Sequence, residues 1–251
     1  METIIITGAS SGLGREYAKA AARRFPEAEL WLVARGREGL EKTASLLGSV
    51  KTKILTADLA TEAGLDGFNA ELEREQPSVR LLVNNAGFGK LGDVKRLSYA
   101  VQRRMVELNC GATTAVSAMT IPYMRRGSCI IQVASIASFA PTPSMTVYSA
   151  TKAYVFAFAR GLRAELRSDG INVLAVCPGP MDTNFLDVAN ITGNSRMFAI
   201  LPYCDPQAVA RRSLGRALAG AGVYTDRMIY KCYRLLAKVL PHSLVVRCSG
   251  C

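Results

Sequence analysis

Four short apolar stretches constrain the fold of this chain most. Ile4-Ile5-Ile6, RLLVNN (Arg80–Asn85), CIIQVAS (Cys129–Ser135) and NVLAVCP (Asn172–Pro178) show little alternation of apolar and polar residues. A strand of that kind is covered on both faces, which is the habit of parallel sheets. The full reading gives strands at Glu2–Thr7, Glu29–Arg35, Thr52–Leu59, Val79–Asn85, Ser128–Ser135 and Ile171–Pro178. Helical patterns lie between them at Gly12–Phe25, Glu38–Leu47, Thr61–Gln76, Ser98–Arg126 (one long helix or two) and Val147–Ser168. Strict alternation of this kind predicts an α/β chain: one doubly wound parallel sheet with helices on both faces and right-handed crossovers. Residues 1–225 read as one catalytic domain, with a lid-length irregular stretch at about 181–202, and 226–251 as a basic helix and tail.

At 251 residues the chain is long enough for a well-buried core. Its 49% apolar content, with 21 glycines and 10 prolines, is that of a globular protein. No apolar run reaches the roughly 18 residues of a spanning helix, and Met1-Glu2-Thr3 runs straight into a strand, so a cytoplasmic protein is expected. Seven cysteines, an odd number, favour reduced thiols over a disulfide framework. The net charge of +11 is uneven, because from Arg211 onward eight Lys/Arg face a single acid, Asp226. Zinc-ligand spacing and interleaved aromatic-basic motifs are both missing, so nucleic acid is not an expected partner. The only histidine, His242, stands in the tail, which leaves no Ser-His pair and no metal site to predict.

Thr7 to Gly14 reads TGASSGLG, between the first strand and the first helix. Its glycines permit a tight turn and a close backbone approach to a ligand. The helix that follows aims unpaired N–H groups and a positive dipole end at a phosphate. Farther on, Tyr148 and Lys152 are four residues apart on a helix and share a face. An ammonium beside a phenol favours the phenolate, which predicts a Tyr148 pKa pulled down from about 10 and a role in proton transfer. Ser135 ends a strand at the carboxyl edge, where open α/β sheets bind ligands, and its hydroxyl can stabilise charge on a substrate oxygen. The second strand ends WLVARG with no carboxylate, and Arg35 stands there instead. An acid at that point would repel a 2′-phosphate, whereas an arginine pairs with one, so NADP(H) is the expected cofactor, with Ser10 and Arg37 able to assist.

TGASSGLG, NNAG (Asn84–Gly87), Asn109, Ser135, YSATK (Tyr148–Lys152), Pro178-Gly179 and Thr183 occur in this order. The set resembles the short-chain dehydrogenase/reductase family, from Thr3 to about Tyr224. The resemblance implies a Rossmann fold and an oxidoreductase that interconverts a carbonyl and a secondary alcohol. Tyr148 would be the acid/base, Ser135 would hold the carbonyl oxygen, and Lys152 would bind the nicotinamide ribose. Asn109 would hold a water that relays protons. The cofactor set would be Gly8, Ser10, Ser11, Gly12, Leu13, Gly14, Arg35, Asp58 (toward adenine), Leu59, Asn85, Ala86, Gly87, Tyr148, Lys152, Pro178, Gly179 and Thr183. A homodimer or homotetramer is also expected on this basis.

Phe88, Met145 and Phe185, with Ser135 and Tyr148, are the candidate substrate contacts. An apolar wall of this kind suits a hydroxysteroid, a bile acid or a 3-oxoacyl chain. The tail loosely resembles that of the branch with 17β-hydroxysteroid dehydrogenases and long-chain 3-oxoacyl reductases. Arg227, Lys231, Arg234 and Lys238 recur along one side of a helix, and Met228, Cys232, Leu235, Leu236 and Val239 along another, before Pro241 stops it. Three placements are open to this basic amphipathic helix at 227–240: on its own domain or pocket, in a subunit interface, or on an anionic membrane. Two rival functions follow, a catalytically silent nucleotide-binding sensor or scaffold, and a membrane-surface binding module.

Overall fold

In the computed structural model, which describes residues 1–182 and 201–248, seven strands form one parallel sheet. They are β1 (Glu2–Thr7), β2 (Glu29–Ala34), β3 (Thr52–Thr56), β4 (Ser78–Asn84), β5 (Met124–Val133), β6 (Asn172–Val176) and β7 (Val223–Tyr224). Their order is β3-β2-β1-β4-β5-β6-β7. The chain winds outward from β1 to β3, then jumps back across β1 to β4, so the topological switch lies between β1 and β4.

The apolar runs explain the layers. Ile4, Ile5 and Ile6 are all fully buried, yet Ile4 and Ile6 belong to one core and Ile5 to the other, because side chains alternate across a strand. The first core is closed by α1 (Gly12–Arg24), α2 (Arg37–Ala44) and α7 (Pro206–Leu218), through Leu13, Tyr17, Leu40, Val209 and Leu214. The second is closed by α3 (Glu62–Glu75), α5 (Thr113–Thr120) and α6 (Thr146–Glu165), through Phe68, Leu72, Val116, Ala159 and Leu162. Caps set several helix starts. Thr61 Oγ1 accepts the Gly64 N–H at 3.1 Å, and the Asp205 carboxylate accepts those of Gln207 and Ala208. Helix α1 differs, because Ser11 makes no side-chain cap and leaves its first N–H groups facing outward.

Two features refine the sequence reading. The helical pattern at Ser98–Arg126 is two α-helices, and its end belongs to a strand. Helix α4 (Tyr99–Val106) passes through a π-turn at Glu107–Ala112 into α5, and a single 3₁₀ turn containing Pro122 then ends it. Strand β5 begins at Met124, with a register shift against β4 where Gly127 adopts φ +90°. The second feature is the tail. Helix α8 (Met228–Val239) and helix α9 (His242–Cys248) flank Pro241. Of α8 only Tyr230 and Ala237 are fully buried, while Met228, Leu235, Leu236 and Val239 are exposed.

Candidate active site

The switch point is stitched by side chains. Thr7 Oγ1 accepts the N–H groups of Asn85 and Ala86, both at 3.0 Å. Asn85 Nδ2 donates back to the carbonyls of Thr7 (3.1 Å) and Gly8 (3.3 Å). Gly8 has φ +67°, and a Cβ there would stand 2.7 Å from Asn85 Nδ2 and 3.0 Å from Ala86 Cα. A Cβ on Gly14 would collide with the Gly8 carbonyl. Only glycine fits either place, so the backbone at these two positions turns tightly beside the start of α1, which no side chain caps. Those orphan N–H donors and the dipole end suit a diphosphate.

A cavity of about 1330 Å³ opens from this corner. Gly8, Ser10, Ser11, Gly12, Leu13, Arg35, Asp58, Leu59, Asn85, Ala86 and Gly87 line its nucleotide end, and Phe88, Ser135, Met145, Tyr148, Lys152, Pro178 and Gly179 the other. Gly14 and Asn109 lie behind the wall rather than on it. Thr183, Phe185 and most of the expected lid lie outside the described residues.

At the second end Ser135 follows β5 and caps a short turn, its Oγ accepting the Ala137 N–H at 3.1 Å. It also hydrogen-bonds the Tyr148 side chain. Tyr148 and Lys152 share a face of α6, as their spacing predicts, and both are buried. The electrostatics differ from the expectation. Lys152 Nζ donates to the Val133 carbonyl at 2.8 Å and stands 5.9 Å from the Tyr148 ring centroid. Burial dominates. It pushes the Tyr148 pKa up to about 12, against the Ser135 hydrogen bond, and brings Lys152 down to about 8.

Asn109 occupies the π-turn and is buried. Its Oδ1 accepts the Phe88 N–H at 3.0 Å, and its Nδ2 donates to the Phe88 carbonyl and Thr151 Oγ1, each at 2.9 Å. A Cβ on Gly87 would lie 2.8 Å from Asn109 Oδ1 and 3.5 Å from Lys152 Nζ, so the absence of a side chain here leaves room for both polar groups.

At the nucleotide end Arg37 is engaged by Glu41 at 2.8 Å, whereas Arg35 is exposed and makes no ion pair among the described residues. Asp58 is paired with Arg104 of α4. Burial raises its pKa, but the Arg104 bond, the Ala60 N–H and the charges of Arg104 and Arg35 together hold it below the usual carboxylate value. Nothing in the sequence pointed to Arg104 as a wall residue. The tail takes the pocket placement, one of the three the sequence left open. Ile229, Tyr233, Leu236, Ala237, Leu240, Leu244 and Val245 all line the cavity. The Tyr230 ring fills the space a side chain on Gly179 would occupy, and its hydroxyl donates to the Pro202 carbonyl at 2.7 Å. The helical period of the tail could have marked Tyr230, Tyr233 and Ala237 as one inward row.

Comparison with known proteins agrees with this geometry. The family model described as short chain dehydrogenase matches residues 2–192. An uncharacterized oxidoreductase of Staphylococcus epidermidis is 30% identical over 181 residues, covering 71% of this chain and 77% of its own. The very-long-chain 3-oxoacyl-CoA reductase of Anas platyrhynchos is 34% identical over 185 residues, 69% of this chain and 58% of the relative. Among solved structures, a short-chain dehydrogenase from Sphingobium yanoikuyae in complex with NADPH superposes with a TM-score of 0.81 at 28% identity, covering 97% and 98% of the two chains. With the family model spanning most of the chain, and a glycine corner leading to a buried Ser-Tyr-Lys group, the chain belongs to the short-chain dehydrogenase/reductase family and is an NAD(P)-dependent oxidoreductase.

Proposed function

We propose that the chain uses NADP(H) to interconvert a carbonyl and a secondary alcohol on an apolar substrate, a hydroxysteroid, a bile acid or a 3-oxoacyl chain. The observation that carries this reading is the single cavity joining the glycine corner to Ser135, Tyr148 and Lys152. It is larger than the roughly 300–1,000 Å³ of a site for one small ligand, which suits a dinucleotide and a substrate together. Beyond the polar group its wall is apolar, with Phe88, Met145, Ile229, Leu236, Leu240 and Leu244. The name of the Anas platyrhynchos relative supports an acyl substrate, and the NADPH of the Sphingobium yanoikuyae structure supports the cofactor. So does Arg35, which follows β2 directly where the strand end carries no acidic residue.

The nicotinamide, when bound, supplies or accepts the hydride at the carbonyl carbon. Ser135 Oγ orients the substrate oxygen and stabilises its developing charge. Tyr148, held protonated well above neutral pH, gives its proton to that oxygen as the alcohol forms and takes it back in the reverse direction. Lys152 would hold the nicotinamide ribose, and its charge on the same face of α6 lowers the cost of the phenolate. Asn109 sets the position of the Phe88 backbone and of Thr151 behind the pair, on the route by which Lys152 exchanges protons. Cofactor oxidation at 340 nm, with NADPH and NADH against steroid ketones, oxo bile acids and 3-oxoacyl thioesters, tests the reading. Turnover on one class, lost in Tyr148→Phe, is the expected result. Turnover retained by Tyr148→Phe overturns the acid/base assignment, and equal use of NADH overturns the cofactor preference.

A further inference from the structure

Around α8 the residues sort into four strips. Tyr230 and Ala237 face the domain and are buried. Ile229, Leu236 and Leu240 lie on one shoulder, where they line the cavity and are also exposed to solvent. Met228, Leu235 and Val239 point outward, 70%, 64% and 72% exposed, although they are large apolar side chains. Lys231 and Lys238 flank that outward strip, both exposed and without an ion pair among the described residues. The chain has no Asp or Glu from Arg227 to its end, and the nearest acid, Asp226, is engaged by Arg212 and Tyr224.

An apolar strip this exposed, bordered by lysines and continuous with a cavity rim, implies a partner that is apolar beneath an anionic surface. We infer that the outward face of α8 docks on an anionic lipid bilayer and sets the mouth of the cavity against it, so that the apolar substrate enters from the lipid. The entry step rests on the apolar-substrate reading above, whereas the docking step does not. Charge decides against a second copy of the chain as the occupant. In a two-fold pair each protomer would bring the same lysines to the same seam with no acid to meet them. An anionic bilayer offers the opposite charge and an apolar interior at the depth a side chain reaches.

The test is sedimentation of the full chain with vesicles of phosphatidylcholine alone and of phosphatidylcholine with phosphatidylglycerol, at low and high salt. Wild type should bind the anionic vesicles and release in salt. Each basic side chain at such a surface multiplies partitioning roughly fivefold, so Lys231→Glu/Lys238→Glu should weaken binding at least ~25-fold. Leu235→Glu/Val239→Glu should weaken it comparably, with circular dichroism and thermal unfolding unchanged because neither side chain is packed. A second arm follows reduction of a bilayer-dissolved ketone, which should slow in both variants while a water-soluble ketone is unaffected. Absence of sedimentation in wild type, or sedimentation of either variant equal to that of wild type, overturns the docking. So does a lower oligomeric mass for Leu235→Glu/Val239→Glu by light scattering, since a second copy then covers the face. Sedimentation as expected with no ketone reduced would leave docking standing and count against the substrate reading alone.

Discussion

Replacing Lys152 with methionine should change how the stability of the cofactor-free protein responds to pH. Burial lowers the Lys152 pKa from 10.5 to about 8, and the residue is only 5% exposed. Between those two values the unfolded chain holds a proton at this site that the folded chain has released. Stability therefore rises with pH across that window, because the unfolded state binds more protons there. Below about pH 8 both states are charged, and the folded one bears the whole desolvation cost. One-site linkage from pH 7 to pH 9.5 gives a gain of about 2 kcal/mol, approaching ~3 kcal/mol once the unfolded lysine also titrates. Methionine has no such group. Urea unfolding of both proteins at pH 7.0, 8.5 and 9.5 should show wild type gaining that amount relative to Lys152→Met. The lost bond to the Val133 carbonyl shifts the difference at every pH equally, and the titration of groups that Lys152 does not influence is shared by both proteins. A difference flat to within ~0.5 kcal/mol across the three pH values would refute the claim that burial discharges this lysine.

Tyr148→Phe should lower turnover by roughly 10²–10⁴ while NADPH affinity, read by fluorescence titration, changes little. Arg35→Glu should weaken NADPH on the order of 100-fold and NADH only slightly, since it opposes the 2′-phosphate alone; equal losses would count against the phosphate role. Gly8→Val places a Cβ 2.7 Å from Asn85 Nδ2 at φ +67°, and should cost more than ~1 kcal/mol in denaturant melts and abolish NADPH binding. Phe68→Ala, at a side chain 1% exposed, should cost about 3–5 kcal/mol, whereas Tyr99→Ala, 77% exposed, should stay within ~0.5 kcal/mol.

The sheet was readable because its strands are covered on both sides, so their apolar runs stand out in one dimension. The glycine corner was readable for a related reason: Gly8 and Gly14 stand where backbone and side chains leave no room for a Cβ. What stayed hidden depends on contacts between distant segments. Arg125 and Arg126 are exposed at the start of β5, so that end carries no apolar signature and reads as the tail of a helix. The Arg104–Asp58 pair joins residues 46 apart. The i, i+4 spacing of Tyr148 and Lys152 gave their shared face but not the direction of the ammonium, which the Val133 carbonyl sets. On α8 the apolar period was visible, but not that Tyr230 and Ala237 would take the inner side and leave Leu235 and Val239 outside.

The π-turn at Glu107–Ala112 makes one helical segment sensitive to length as well as to the identity of Asn109. Before it, α4 is anchored by Arg104 on Asp58. After it, α5 is anchored by Ser117, whose Oγ accepts from Asn84 Nδ2 and Gln132 Nε2, each at 2.9 Å, inside the sheet. The wide turn works as a spacer that brings two fixed anchors into phase. A π-turn takes up one extra residue while the regular turns on either side stay nearly in phase. Deleting a residue between Arg104 and Ser117 but outside that turn would instead rotate one anchor by about 100° relative to the other. Either the cavity wall would lose Arg104 or the sheet would lose Ser117.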